Sequence, residues 1–197
     1  MSAASSTATS ARPAIVVHGG AGAHDPDTEP ARAAAVDAAA AAGWDVLAGG
    51  GSSLDAVIAA VTRLEDDPLF NAGLGAVLTE DGTVELDASL MSGIDLRASA
   101  VAMVHGVCNP ILLARAVMEE GREVFLVGPP AEALARRHGL RVVAPEALVT
   151  ADARLHWQAR RPSIGETVAG IILVDRHGRI AAAHTAPAMV TAQRSAP

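Results

Sequence analysis

The stretch LEDDPLFNAGLGAVLTEDGTVELDASLMSG, residues 64–93, decides what kind of sheet this chain builds. Asp66, Asp67 and Pro68 stop the helix that leads into it, since proline cannot continue a helical ladder. PLFNAGLG, residues 68–75, then reads as a loop. AVLT (76–79) and TVEL (83–86) read as two short strands around Glu80, Asp81 and Gly82, which is a hairpin pattern. A second hairpin is expected near the end. TVAGIILVD (167–175) is a continuous apolar strand, Arg176, His177 and Gly178 turn it, and residues 179–183 return. Two hairpins exclude a purely parallel sheet.

Outward from these points, strands and helices mix. AIVV (14–17) is a strand, and HGGAGAH (18–24) turns it sharply. Residues 31–47 are dominated by alanine and read as a helix, stopped by Gly49, Gly50 and Gly51. Ser52 or Ser53 caps the next helix, where Leu54, Val57, Ile58, Val61 and Leu64 recur at helical spacing. Residues 98–105 read as a strand, and a helix runs from Pro110 to Gly121. Residues 123–127 form a strand, 129–138 a helix closed by Gly139, and Val142 and Val143 an extended pair. Residues 145–163 are mixed, residues 184–197 show no periodicity, and there is no internal repeat. The fold class this predicts is α/β of the α+β type, a layered sandwich with antiparallel pairs.

The 197 residues suffice for one domain with its own core. Half are apolar and 19% are charged, which excludes a disordered chain. Only four aromatics occur, so the core is Ala, Val, Leu and Ile. The net charge is −7 and all 15 basic residues are Arg, with no basic stripe, which argues against a nucleic-acid partner. No apolar run approaches the roughly 20 residues that span a bilayer, so no membrane partner is expected. The start, MSAASSTATSARP, lacks the apolar segment of a secretory signal and reads as a disordered tail over residues 1–13. A lone cysteine, Cys108, fits a reducing compartment, and the cytoplasm is the expected location. Cys108 itself reads as a small buried hydrophobe.

Four places can carry chemistry. HGGAG (18–22) offers either backbone N–H groups to an anion or a tight turn beside another site; it is not a dinucleotide fingerprint. The loop of residues 64–75 either turns carbonyls around a hard cation or is simply a packed turn. The seven histidines are scattered without zinc-type spacing and read mostly as surface or hydrogen-bonded residues. Thr167 heads an apolar strand directly after a loop. It is either a β-favoured strand opener or a nucleophile whose own α-amine, if the chain is cut before it, serves as base. An α-amine titrates near 7.7–8.0, so it is available for this near neutral pH.

The blocks IVVHGGAGA, GGGSSLDAVIAAVTRLEDDPLFNAGLGAVLTEDGTVELDASLMSG and VAMVHGVCNPILLARAVMEEGREVFLVGPPAEALARRHGL resemble the α-part of the plant-type L-asparaginases. These are the isoaspartyl peptidase/L-asparaginase family of N-terminal nucleophile hydrolases. The likeness runs over residues 14–183. It implies an αββα sandwich, here incomplete, in one asparaginase-like domain over residues 14–197. Residues 14–166 would be the α-part and 167–197 the start of the β-part. It implies self-cleavage between Glu166 and Thr167, Thr167 as catalytic nucleophile, and Asn71 beside it. Thr185 takes the place of a secondary hydroxyl. Leu64, Glu65, Asp67, Phe70, Ala72 and Leu74 match the loop whose backbone carbonyls hold a structural sodium ion. No cofactor is implied for the chemistry.

The reaction implied is hydrolysis of L-asparagine or of β-aspartyl dipeptides, small-molecule substrates, by homo-oligomers of processed α/β units. The end of the chain departs from the pattern. Glu166 stands where relatives mostly have Gly or Asp. HTAPAM (184–189) stands where a TSTGGM-type stretch is expected, and the Arg and Asp that follow it in the family pattern fall beyond Pro197. An alternative reading is therefore a catalytically inactive, truncated fragment that acts only by association with other chains.

Overall fold

A computed structural model describes residues 12–21, 25–159, 170–174, 179–184 and 189–195. Strand β1 (Ala14–Ala21) pairs antiparallel with β7 (Met189–Ser195), from Ala14 opposite Ser195 to Ala21 opposite Met189. Helices α1 (Glu29–Ala48) and α2 (Ser53–Glu65) pack together beside this pair. The alanines of α1 permit close approach. A Cβ added at Gly43 would lie 2.3 Å from Ile15 Cδ1 and 2.7 Å from the Ala56 carbonyl, so no larger residue fits between α1, β1 and α2. Val36, Ala39 and Ala40 are fully enclosed there, with Ile15, Val17 and Phe70. As expected, Ser52 caps α2, accepting from the Asp55 N–H at 3.1 Å.

The second half of the core lies under β2 (Leu86–Met91), β3 (Ala98–Val104) and β4 (Phe125–Val127). β2 and β3 are antiparallel, whereas β3 and β4 are parallel and joined through α3 (Pro110–Glu120). α3 buries Leu113, Ala114 and Val117 against β2 and β3. Buried Ser99 is satisfied by donating to the Ala114 carbonyl at 2.6 Å. Pro110 opens α3, and Gly121 closes it in the left-handed region at φ 63°. α4 (Pro129–Arg137) packs on β3 and β4. α2 serves both halves: Ala56, Ala60 and Leu64 join the first cluster and Ile58 the second. α5 (Ala151–Ala159) follows, with Trp157 donating to the Glu80 carbonyl at 3.3 Å. β5 (Gly170–Val174) and β6 (Ile180–His184) form the expected second hairpin, and β5 lies alongside β1.

The mixed α/β class is the one expected, with three antiparallel pairs and one parallel pair among the described residues. Three details differ from the sequence reading. Residues 76–79 and 83–86 make a turn, with Thr79 N–H donating to the Thr83 carbonyl at 2.8 Å, but do not form ladder strands. The hairpin of this region is β2–β3 instead. Thr79 and Thr83 also bond through their hydroxyls at 2.8 Å, so side chains take over from a longer ladder. β1 does not stop at Val17 but runs through the glycines as a bulge. The stretch of residues 184–197, read as aperiodic, contains β7. Its half-buried Val190, Ala192 and Arg194 alternate with exposed Thr191, Gln193 and Ser195. Among the described residues no helix is long and apolar enough to cross a membrane.

Candidate active site

The two motifs singled out in the sequence meet. The end of β1 (His18, Gly19, Gly20, Ala21) and the loop after α2 (Phe70, Asn71, Ala72) line one cavity of about 310 Å³, together with Leu64 and Arg32. That volume is at the low end of small-molecule sites, roughly 300–1,000 Å³. The glycines make the meeting possible. A Cβ at Gly19 would lie 2.4 Å from Val36 Cγ2 and 2.8 Å from Phe70 Cε1. Gly20 has φ +108°, which places the bulge between His18 and Ala21 at little cost only for glycine.

Asn71 is exposed at the cavity, and its side chain is fixed. Its Oδ1 accepts the Val77 N–H at 2.7 Å, so the carbonyl end is held by backbone and the NH₂ end is left to donate. Phe70 is 4% exposed and forms the floor. Arg32, in the first turns of α1, is half-buried with its guanidinium carbon 6.0 Å from the Phe70 ring centroid. The sequence reading missed Arg32. It is the only cation in the twenty residues of α1, but nothing in that local pattern ties it to Phe70.

The loop proposed to hold a cation is closed on itself. Leu74 N–H donates to the Glu65 carbonyl at 2.8 Å, Asp67 N–H to the Leu64 carbonyl at 3.3 Å, and Phe70 N–H to the Asp67 carbonyl at 3.1 Å. Leu64 and Glu65 belong to the last turn of α2 and the other four residues to the loop. Gly73, at φ +56°, lies where a Cβ would be 2.4 Å from the Glu65 carbonyl oxygen and 2.8 Å from that of Cys108. The Asp67 carboxylate is used within the loop, accepting from Leu69 N–H at 2.9 Å. Among the described residues no three His, Cys, Asp or Glu side chains cluster as metal ligands. The other oxygens of this loop are neutral backbone carbonyls, of the kind a hard cation takes, and those of Leu64, Glu65 and Asp67 each already accept one backbone N–H.

The Glu65 side chain points elsewhere. Its Oε1 accepts the Ile111 N–H at 3.0 Å at the start of α3, and its Oε2 has no partner among the described residues. Burial pushes the carboxyl up to about 8. Cys108 is buried and its thiol is pushed up chiefly by that burial, the environment of an inert cysteine. The histidines that the structure details make local pairs: His105 with Glu132 at 3.1 Å, His138 with Glu120 at 3.1 Å, and His156 with Asp152 at 3.3 Å.

Glu166, Thr167 and Thr185 lie outside the described residues. Gly170, three positions after Thr167, opens β5, the strand alongside the cavity-lining β1.

Comparison with known proteins agrees with this arrangement. The family model described as "Asparaginase" matches residues 11–167. An isoaspartyl peptidase/L-asparaginase of Xenopus laevis is 39% identical over 180 residues, covering 87% of this chain and 58% of the relative. That of Bos taurus is 40% identical over 179 residues, covering 86% and 58%. A plant-type L-asparaginase of Pyrococcus furiosus is 46% identical over 155 residues, covering 78% and 49%. The chain thus spans about half the length of the curated relatives it matches. With the family pattern matched from β1 to the threshold of β5, this chain belongs to the asparaginase family.

Proposed function

We propose that the protein hydrolyses the side-chain amide of L-asparagine and the β-aspartyl bond of isoaspartyl dipeptides, with Thr167 as an N-terminal nucleophile. The observation that carries this reading is the cavity itself. In a chain of the asparaginase family, it joins the glycine bulge of β1 to Asn71, beside the strand that Thr167 precedes by three residues.

In the precursor the Thr167 hydroxyl attacks the Glu166 carbonyl. The peptide nitrogen leaves as the α-amine of Thr167, and water hydrolyses the resulting ester. The mature hydroxyl then gives its proton to that amine and adds to the substrate's β-carbonyl. The amine returns the proton to the departing nitrogen, as ammonia or as the amino group of the released residue. Water cleaves the aspartyl ester and frees Thr167. Asn71 donates from its NH₂ group to the substrate, its carbonyl end already engaged by Val77 N–H. Thr185 supplies a second hydroxyl. No cofactor takes part. A sodium ion bound by the carbonyls of Leu64, Glu65, Asp67, Phe70, Ala72 and Leu74 would stiffen the loop that carries Asn71. A cytoplasmic setting and a homo-oligomer of processed units complete the reading.

The test is product release. Wild-type protein should liberate ammonia from L-asparagine and leucine from β-aspartyl-leucine, and Thr167→Ala should do neither. Turnover that survives in Thr167→Ala would remove the nucleophile from the account.

A further inference from the structure

Among the described residues, Arg32 is the one guanidinium lining the cavity. Its Nε donates to Thr28 Oγ1 at 3.3 Å, and its guanidinium carbon stands 6.0 Å from the Phe70 ring centroid. Among the described residues no carboxylate pairs with it and neither terminal nitrogen has an acceptor. A half-buried guanidinium held at Nε presents its two terminal N–H₂ groups as a fork, the geometry that grips a carboxylate bidentately. Phe70 is buried at the floor and Arg32 above it is half-exposed, so the guanidinium stands on the solvent side of the cavity. Asparagine carries one carboxylate, on its aspartyl end. A β-aspartyl dipeptide carries a second, on the residue that leaves, and only that residue extends outward past the scissile amide.

We propose that Arg32 binds the free carboxylate of the leaving residue and so determines the protein's preference for β-aspartyl dipeptides over asparagine. The inference rests on the function proposed above.

The test is hydrolysis by the self-processed wild-type protein, read as kcat/KM. The substrates are β-aspartyl-leucine, its C-terminal amide β-aspartyl-leucinamide, and L-asparagine. A charge-assisted fork predicts that kcat/KM for the free acid exceeds that for the amide roughly 10- to 100-fold, mostly through KM. Arg32→Met should bring the two within about 2-fold, and Arg32→Lys should restore part of the difference, because a point charge attracts a carboxylate without bidentate geometry. Arg154→Met, an exposed site on α5, should keep the full preference. Acid and amide turned over alike by wild type, or a preference that persists in Arg32→Met, would overturn the assignment while leaving the proposed function standing. Equal loss on all three substrates in Arg32→Met would also overturn it, by moving Arg32 to the aspartyl end. If wild type hydrolyses none of the three, both readings fall.

Discussion

Gly19→Ala is the smallest change that tests how the cavity is built. The added methyl would stand 2.4 Å from Val36 Cγ2 and 2.8 Å from Phe70 Cε1, and a normal carbon contact needs about 3.5–4.0 Å. Val36 is fully buried on α1 and Phe70 is 4% exposed, so neither can swing into solvent. Overpacking of this kind costs roughly 1–3 kcal/mol. For a chain of this length that is a fall in melting temperature of roughly 2–12 °C, by differential scanning calorimetry. A double-mutant cycle isolates the cause. Val36→Ala alone should destabilise by opening a cavity, but in the Gly19→Ala background it should cost less, because it removes the Cγ2 that the methyl strikes. The rescue should be incomplete, since the Phe70 contact remains. The displaced ring carries Asn71 with it, so Gly19→Ala should weaken substrate binding as well as stability. Strict additivity of the two substitutions, or an unchanged melting temperature in Gly19→Ala, would refute the close meeting of β1, α1 and the Phe70 loop.

Other outcomes follow from single contacts. Glu65→Gln should alter the pH dependence of stability: the buried carboxyl is raised from 4.5 to about 8, so its favourable contribution is complete below 4.5 and is lost as pH rises through 8. Urea denaturation should therefore show the Gln variant gaining on wild type between pH 5 and pH 9, and a constant difference would contradict the buried, neutral carboxyl. Sodium should raise the melting temperature more than tetramethylammonium at equal ionic strength. Asp67→Asn should keep that response because Oδ1 still accepts from Leu69, whereas Gly73→Ala should abolish it by forcing the Glu65 carbonyl aside. Equal responses to the two salts in wild type would count against the cation loop. Asn71→Ala should cost about 1 kcal/mol through the lost bond to Val77 N–H and should also depress kcat/KM for asparagine. A loss of stability with full activity would make Asn71 a loop fastener only.

How much of this was legible beforehand depended on the range of the interactions involved. The helices declared themselves locally. Pro110 and Gly121 bracket α3, and Ser52 caps α2, because caps and breakers act within a few residues. In the sequence the bulge at Gly20 reads as an end of strand, since a glycine looks the same whether it stops a strand or bends one whose partner lies some 170 residues away. β7 was missed for the same reason: MVTAQRS has two strongly apolar residues, and its pairing with β1 and packing on α1 make it a strand, not its own pattern. The hairpin placed at residues 76–86 had the right turn, but the ladder forms one segment later, where Leu86 and Leu90 reach the core. In the site, Asn71 and the glycines were visible as motifs, and Leu64, Glu65 and Asp67 as a loop. Arg32 was not, because its place over Phe70 joins positions 38 residues apart in sequence.

The central claim is that Thr167 is a nucleophile released by the chain itself, and intact-mass spectrometry of the purified protein after prolonged incubation tests it most directly. The account predicts two species, residues 1–166 and a fragment beginning at Thr167, growing at the expense of the uncut chain, and a Thr167→Ala protein that stays whole. A wild-type chain that stays whole, or a cut at any other bond, would contradict it.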